Sequence, residues 1–350
     1  MADPQAQLKA FEPQHDFLVC IDSDGCTFDT MEVKHKFCFV VAVLHAYGLA
    51  ALARILRDVW DFVNLNGTTR GCNRWLALRD TFQYLIELSP YERFQPFLEA
   101  HLDVIREFIQ AADEREDVHL SNQGLLLFAG EKLDTPPAEL LARCVVADPV
   151  AVATSPMGRE VTDAPTDPQS CLVRLIYWTH LVNALVALRV RDVPPFPHVC
   201  ESLEKLAPKA DIICVSATPF EALTREWEEH DIARYAAIIC GQEQGKKAEH
   251  IGLACGGKLD GKGSVAEIGQ RYPQGHVLMV GDAPGDLKAA RANQALFFPV
   301  NPGHEEQSWE RFFKEAIDKF LAEDYAGDYE TKLIHDFQAH LPESPPWERT

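Results

Sequence analysis

Positive charge is scarce in this 350-residue chain: 33 Lys and Arg stand against 53 Asp and Glu, a formal net charge of -20. Nucleic-acid backbones and anionic membranes are gripped through a basic face, so this balance argues against both as partners. It leaves a small anionic substrate open, because one local cationic or metal site overrides the mean field. Cysteine pairing is also missing. Ten cysteines are scattered with no Cys-x-x-Cys spacing, which speaks against a zinc site and a disulfide frame and for a reducing cytoplasm. Most lie in apolar runs (Cys20, Cys38, Cys214, Cys240), where a thiol packs as a small hydrophobe.

The first fifteen residues have neither a basic opening nor an apolar centre, so no signal peptide is expected. Long apolar runs are nearly absent. Phe37 to Ala53 comes closest, and His45, Tyr47 and Gly48 interrupt it. A buried helix, or two short ones meeting at Gly48, is expected there in place of a membrane span.

What is present divides in two styles, and the length allows two domains. Phe17 to Ile21 is an apolar strand. Helical patterns then cover 37–56, 57–66, 73–88, 91–112, 137–146 and 170–190, with a Pro, Asp, Thr and Ser-rich loop over 155–170. After the stiff connector Pro194-Pro195-Phe196-Pro197, short apolar runs alternate with helices. Strands are expected at 212–215, 236–240, 277–280 and 295–298, and helices at 198–207, 219–230, 263–271 and 285–293. That alternation marks a parallel sheet covered on both faces. The fold expected is α/β, a Rossmann-like doubly wound parallel sheet over 1–30 and 191–350, interrupted by an all-helical domain over 31–190. The tail, 305–339, reads as helical, with Trp309, Phe312, Phe313, Ile317 and Phe320 as docking contacts.

Chemistry concentrates where these strands end. Ile21 is followed by Asp22-Ser23-Asp24-Gly25, and Val215 by Ser216-Ala217-Thr218-Pro219. Cys240 is followed by Gly241 and then Gly245-Lys246-Lys247, and Val280 by Gly281-Asp282-Ala283-Pro284-Gly285-Asp286. Two carboxylates at the end of a buried strand are costly unless they do chemistry or hold a metal. The whole set suits phosphoryl transfer. A carboxylate can attack phosphorus and a second can shuttle the proton, while a hydroxyl, a backbone N–H and a lysine grip the oxygens. Mg²⁺ wants oxygen ligands and offsets the repulsion between nucleophile and substrate.

In order and at strand ends, these four segments resemble the motifs of the haloacid-dehalogenase-like superfamily, in its phosphatase branch with a helical cap after the first motif. The resemblance spans residues 17–300. It implies Asp22 as nucleophile, Asp24 as general acid and base, and Ser216, Ala217 and Lys247 or Lys246 as phosphate grips. Helix phase favours Lys247 as the catalytic lysine. It further implies Mg²⁺ held by Asp22, Asp282 and the Asp24 carbonyl, with Asp286 as a ligand or as the group that orients the lysine. The family's dehalogenases lack an acid at the position of Asp24, so its presence favours phosphate chemistry. Cys26 stands where the family usually has Thr or Val.

Blander readings stand beside these. Asp22 and Asp24 alone could form a solvated turn, Ser216 could be a helix cap, and Asp286 a first-turn acid favoured by the helix dipole. Gly252 to Lys258 matches most of a nucleotide-binding loop but ends in Leu259, where a hydroxyl should hold the metal, so it reads as a glycine-rich turn. In the insert, Arg70 and Arg74 are candidate substrate contacts, sharing a helix face if a helix starts by Arg70. Lys34 and Lys36 are candidates for a Schiff base or simple surface charges. The function expected is a Mg²⁺-dependent phosphohydrolase (a hydrolase of phosphoric monoesters) acting on a small phosphorylated metabolite, a sugar phosphate foremost. A phosphomutase or phosphonate hydrolase, or a weakly catalytic binding protein of the same fold, are the alternatives.

Overall fold

A computed structural model describes residues 3–144, 165–260 and 263–348. The loop expected over 155–170 falls mostly outside these residues. The chain forms two compact units, Met1–Met31 with Asp192–Thr350, and Glu32–Arg191.

The first unit is built on five parallel strands: β1 (Phe17–Ile21), β2 (Ala210–Val215), β3 (Ile238–Cys240), β6 (Val277–Gly281) and β7 (Leu296–Pro299), in the order β3-β2-β1-β6-β7. Alternate residues of β1 supply opposite cores. Val19 and Ile21 pack with Ile212, Cys214, Leu278 and Val280, while Leu18 and Cys20 pack with Ile213, Val215 and Met279. Every residue of β2 and β6 is buried, which is why these strands read as unbroken apolar runs. The chain leaves β1 towards β2 and β3, then crosses to β6 on the other side. The switch point therefore lies between β1 and β6, where open α/β sheets hold their ligands.

One expectation fails. Residues 263–271 do not form a helix: β5 (Val265–Glu267) pairs antiparallel with β4 (Lys258–Leu259) as a small hairpin. Gly269 lies so close to the Cys255 carbonyl that a Cβ would stand 2.0 Å from its oxygen, a contact no helix-forming side chain could make. The glycine-rich turn before the hairpin closes a helix, Lys247–Ala254, with Arg271 donating to the Leu253 and Ala254 carbonyls at 3.1 and 3.2 Å.

The tail is helical in pieces, Glu305–Arg311, Phe312–Ala316, Ile317–Leu321 and Asp328–His340. Trp309, Phe312, Ile317 and Phe320 are buried in the core, and Phe313 stacks on His198.

Among its described residues the second unit is helical throughout. Helix Val40–Tyr47 ends at Gly48, whose φ of 63° is a left-handed helix stop, so two helical pieces meet there as one of the two expected readings has it. Arg74–Leu88, Gln95–Glu114 and Pro168–Arg189 follow the expected spans. Helix Asn122–Lys132 was not anticipated, since it carries two glycines and apolar residues on every side. Pro168–Arg189, not 37–53, is long and apolar enough to cross a membrane by composition, and half of it is buried within the unit. The nine cysteines whose side chains are described are all free thiols.

Two buried histidines give the fold a pH signature. Burial holds both His101, in the second unit, and His250, in the first, down to about 4. Unfolded, each titrates near 6.5. Above that pH neither state carries the extra proton, and as pH falls towards 4 the unfolded chain takes up protons that the fold refuses. Urea unfolding at pH 5 should therefore show a loss of about 2 kcal/mol per histidine relative to pH 7. His101→Gln should remove its share of that slope; an unchanged slope would refute the assignment.

Candidate active site

Four strand ends meet at the carboxyl edge of the first unit. Ile21 pairs with both Cys214 and Val280, so Asp22, Ser216 and Asp282 leave adjacent strands within two residues of one level. Beyond Ile21 the chain curls. Gly25 adopts φ 75°, and the N–H groups of Cys26, Thr27 and Phe28 converge on the Ser23 carbonyl at 3.3, 2.8 and 3.1 Å. The Thr27 hydroxyl donates to the Asp22 carbonyl at 2.7 Å. The curl sends its two acids to different surroundings.

Asp22 is 4 % exposed. Its Oδ1 accepts from the Ser23 N–H at 2.8 Å, and its Oδ2 lies 2.7 Å from Lys247 Nζ. The same ammonium lies 2.5 Å from Asp286 Oδ1, while Asp286 Oδ2 accepts from the Ala283 N–H at 3.0 Å. Gly281 makes this possible, because a Cβ there would stand 2.4 Å from Asp286 Oδ2. Asp22, Asp282 and Asp286 each offer a carboxylate oxygen within 4.8 Å of the others.

Three buried carboxylates, two of them paired with one ammonium, act on each other's charge. Burial is the main force on Asp22 and pushes its carboxyl well above the usual range. Lys247 pulls it down, and Asp286 and Asp282 push it up again. Burial works against the charge on Lys247, but the Asp22 and Asp286 carboxylates outweigh it and raise the ammonium's pKa. The negative excess and the all-oxygen donor set fit a hard divalent cation such as Mg²⁺.

Asp24 is half-buried and stands apart from that trio. Its Oδ1 accepts from the Thr30 hydroxyl and its Oδ2 from the Thr218 hydroxyl, each at 2.5 Å. Neither threonine stood out in the sequence. Thr30 opens a short helix and Thr218 sits in a bend, places where hydroxyl residues are common, and only the fold brings residue 218 to residue 24. Ser216 is buried at the end of β2, its Oγ accepting from the Thr218 N–H at 3.2 Å, and Ala217 is exposed beside it.

Of the two candidate lysines, Lys247 is the one that lies beside Asp22 and Asp286. Helix Lys247–Ala254 begins at Lys247, whose side chain turns inward, while Lys246 is exposed at the N-cap. The insert's arginines do not share a helix face, because the helix starts only at Arg74, capped by Asn73. Arg70 is buried and donates to the Leu65 carbonyl at 2.9 Å. Arg74 bonds Asn183 and Thr179 and lies over the Phe39 ring, and burial lowers it to about 10. Lys36 pairs with Glu32 one turn away, as a surface charge does.

No family model and no curated protein matches the sequence. Among solved structures it is similar to hydrolases of the haloacid-dehalogenase superfamily. One is provisionally named a phosphoglycolate phosphatase, from Lactobacillus delbrueckii subsp. bulgaricus (14% identity over 90% of this chain and 100% of that one, TM-score 0.41). Another is the L-2-haloacid dehalogenase of Xanthobacter autotrophicus (12% identity, 90% and 85%, TM-score 0.34). A third is a subfamily IA hydrolase from Geobacter sulfurreducens (12% identity, 83% and 90%, TM-score 0.32).

Removing the ammonium exposes the electrostatic balance. Lys247→Met should cost about 3–5 kcal/mol at neutral pH, because it strands buried carboxylates without their cation. In that variant the folded state binds protons more tightly than the unfolded one, so the deficit should shrink as pH falls. Urea unfolding at pH 7 and pH 5 reads both effects, and a deficit that grows on acidification would refute them.

Proposed function

We propose that this protein is a divalent-cation-dependent phosphohydrolase of small phosphate monoesters, working through an aspartyl phosphate. The observation that carries the reading is Lys247 bridging Asp22 and Asp286 inside a trio of carboxylates, at the switch point of a parallel sheet. A site built to bind a neutral ligand has no use for that concentration of opposed charge.

Asp22, Asp282 and Asp286 would hold Mg²⁺, which supplies charge neutralisation between an anionic substrate and an anionic nucleophile. An Asp22 carboxylate oxygen attacks phosphorus, forming the acyl phosphate as the ester P–O bond breaks. Asp24 gives its proton to the departing alkoxide. Asp24 then takes a proton from water, which attacks the same phosphorus. The acyl P–O bond breaks, and inorganic phosphate and the Asp22 carboxylate are released. Ser216, the exposed Ala217 peptide and Lys247 hold the non-bridging oxygens, where charge accumulates. Thr30 and Thr218 keep the Asp24 carboxyl from swinging freely.

Asp24 favours phosphate esters over haloacids, because a carboxylate-displaced halide needs no proton from the enzyme, whereas an alkoxide does.

An aryl phosphate assayed with Mg²⁺ and again with a chelator should give metal-dependent release of phosphate. Asp22→Asn should lower kcat about a thousandfold or more; full activity in that variant would remove Asp22 as nucleophile. Asp282→Asn should abolish Mg²⁺ binding in a calorimetric titration, and retained binding would take the metal elsewhere.

A further inference from the structure

The curl over residues 22–28 owes its shape to bonds within itself, and such bonds move with it. Its position is fixed by groups outside. At its entry the Asp22 N–H continues the sheet ladder to Val280 at 3.0 Å, and at its exit the Phe196 N–H donates to the Thr27 carbonyl at 2.9 Å. Between those ends the acid side chains are held by Lys247, Thr30 and Thr218, the Cys26 thiol donates to the Val280 carbonyl at 3.6 Å, and two indoles reach the loop from behind. Trp309 Nε1 donates to the Cys26 carbonyl at 2.7 Å, and Trp227 Nε1 donates to Ser23 Oγ at 3.1 Å. The Ser23 hydroxyl in turn donates to Glu226 at 3.3 Å.

Both rings are fully buried. An indole N–H can only donate, so a buried tryptophan must find an acceptor or lose the bond it had with water. Phenylalanine would fill most of the same space without that demand. Each of these tryptophans meets its demand on the one loop that carries both acids. They reach it from different parts of the chain. Trp227 lies on helix Phe220–Glu229, which follows the Ser216 turn, and Trp309 lies on helix Glu305–Arg311, beyond the last strand.

We infer that Trp309 and Trp227 are positioning residues, whose N–H groups fix the Asp22–Asp24 loop at the height from which Asp22 faces Lys247. The inference rests on the phosphohydrolase reading for its kinetic consequence only. A nucleophile displaced by about an ångström can lose on the order of a hundredfold in rate while substrate binding survives.

The test is Trp309→Phe in the full chain, followed by amide hydrogen exchange of the 22–28 segment and by steady-state kinetics on an aryl phosphate with Mg²⁺. Exchange in the segment should quicken, and kcat should fall roughly ten- to a hundredfold, with KM within about twofold. Unchanged exchange overturns the inference, and so does faster exchange with kcat retained, which would make the contact structural only. Should the phenylalanine variant fail to fold, benzothienylalanine at position 309 keeps the ring's shape and removes only the donor. Trp227→Phe gives an independent measurement of the second contact. If the wild-type protein hydrolyses no phosphate ester, the phosphohydrolase reading fails, and the exchange result still decides whether the indoles hold the loop.

Discussion

The ammonium of Lys247 is the pivot of the structure's working edge. Without a cation, Asp22 and Asp286 could not lie buried so close to one another and to Asp282, since desolvation and like charge both favour their neutral forms. With it, three acids from two neighbouring strand ends converge at the one place where the sheet changes direction. Several sequence choices serve that convergence. Gly281 leaves room for the Asp286 carboxylate, Gly245 turns the chain before Lys247 at φ 123°, and the paired register of β1 and β6 sets Asp22 beside Asp282.

The two acids of the first loop show how environment divides labour between identical side chains. Asp22 is sealed from water and answers to a lysine, so its chemistry depends on charge. Asp24, two residues on, is half-buried and accepts from two hydroxyls that set its orientation. A pair whose surroundings differ this much is suited to unlike tasks in one reaction.

Much of this was legible in the sequence because parallel strands buried on both faces announce themselves as short apolar runs, and because chemistry in such folds gathers where those runs stop. The runs before Asp22, Ser216 and Asp282 each became a strand of the sheet. The hairpin of β4 and β5 was not legible, since Val265 and Ile268 recur at a spacing that imitates a helical face. Lys246 and Lys247 are neighbours of one type, and only the start of the helix separates them. The insert's arginines looked like ligand contacts because donors cluster there. The fold uses Arg70 to bond the chain's own carbonyl at Leu65 and Arg74 to join two helices through Thr179 and Asn183. The Thr218 contact on Asp24 and the indoles behind the loop depend on contacts across 194 residues or more, a distance over which local pattern carries no information.

The strand at the middle of the sheet is also the first to be made. Val19 pairs with Ile212 on one side and Leu278 on the other, partners that leave the ribosome about 190 and 260 residues later. During synthesis at roughly 5–20 residues per second, this apolar segment therefore waits many seconds with both edges open. The helices of the insert, whose contacts are local, can close in that interval. Assembly of the sheet's carboxyl edge is thus among the last events in folding, and the exposed first strand is where a nascent chain of this protein would be most in need of a chaperone.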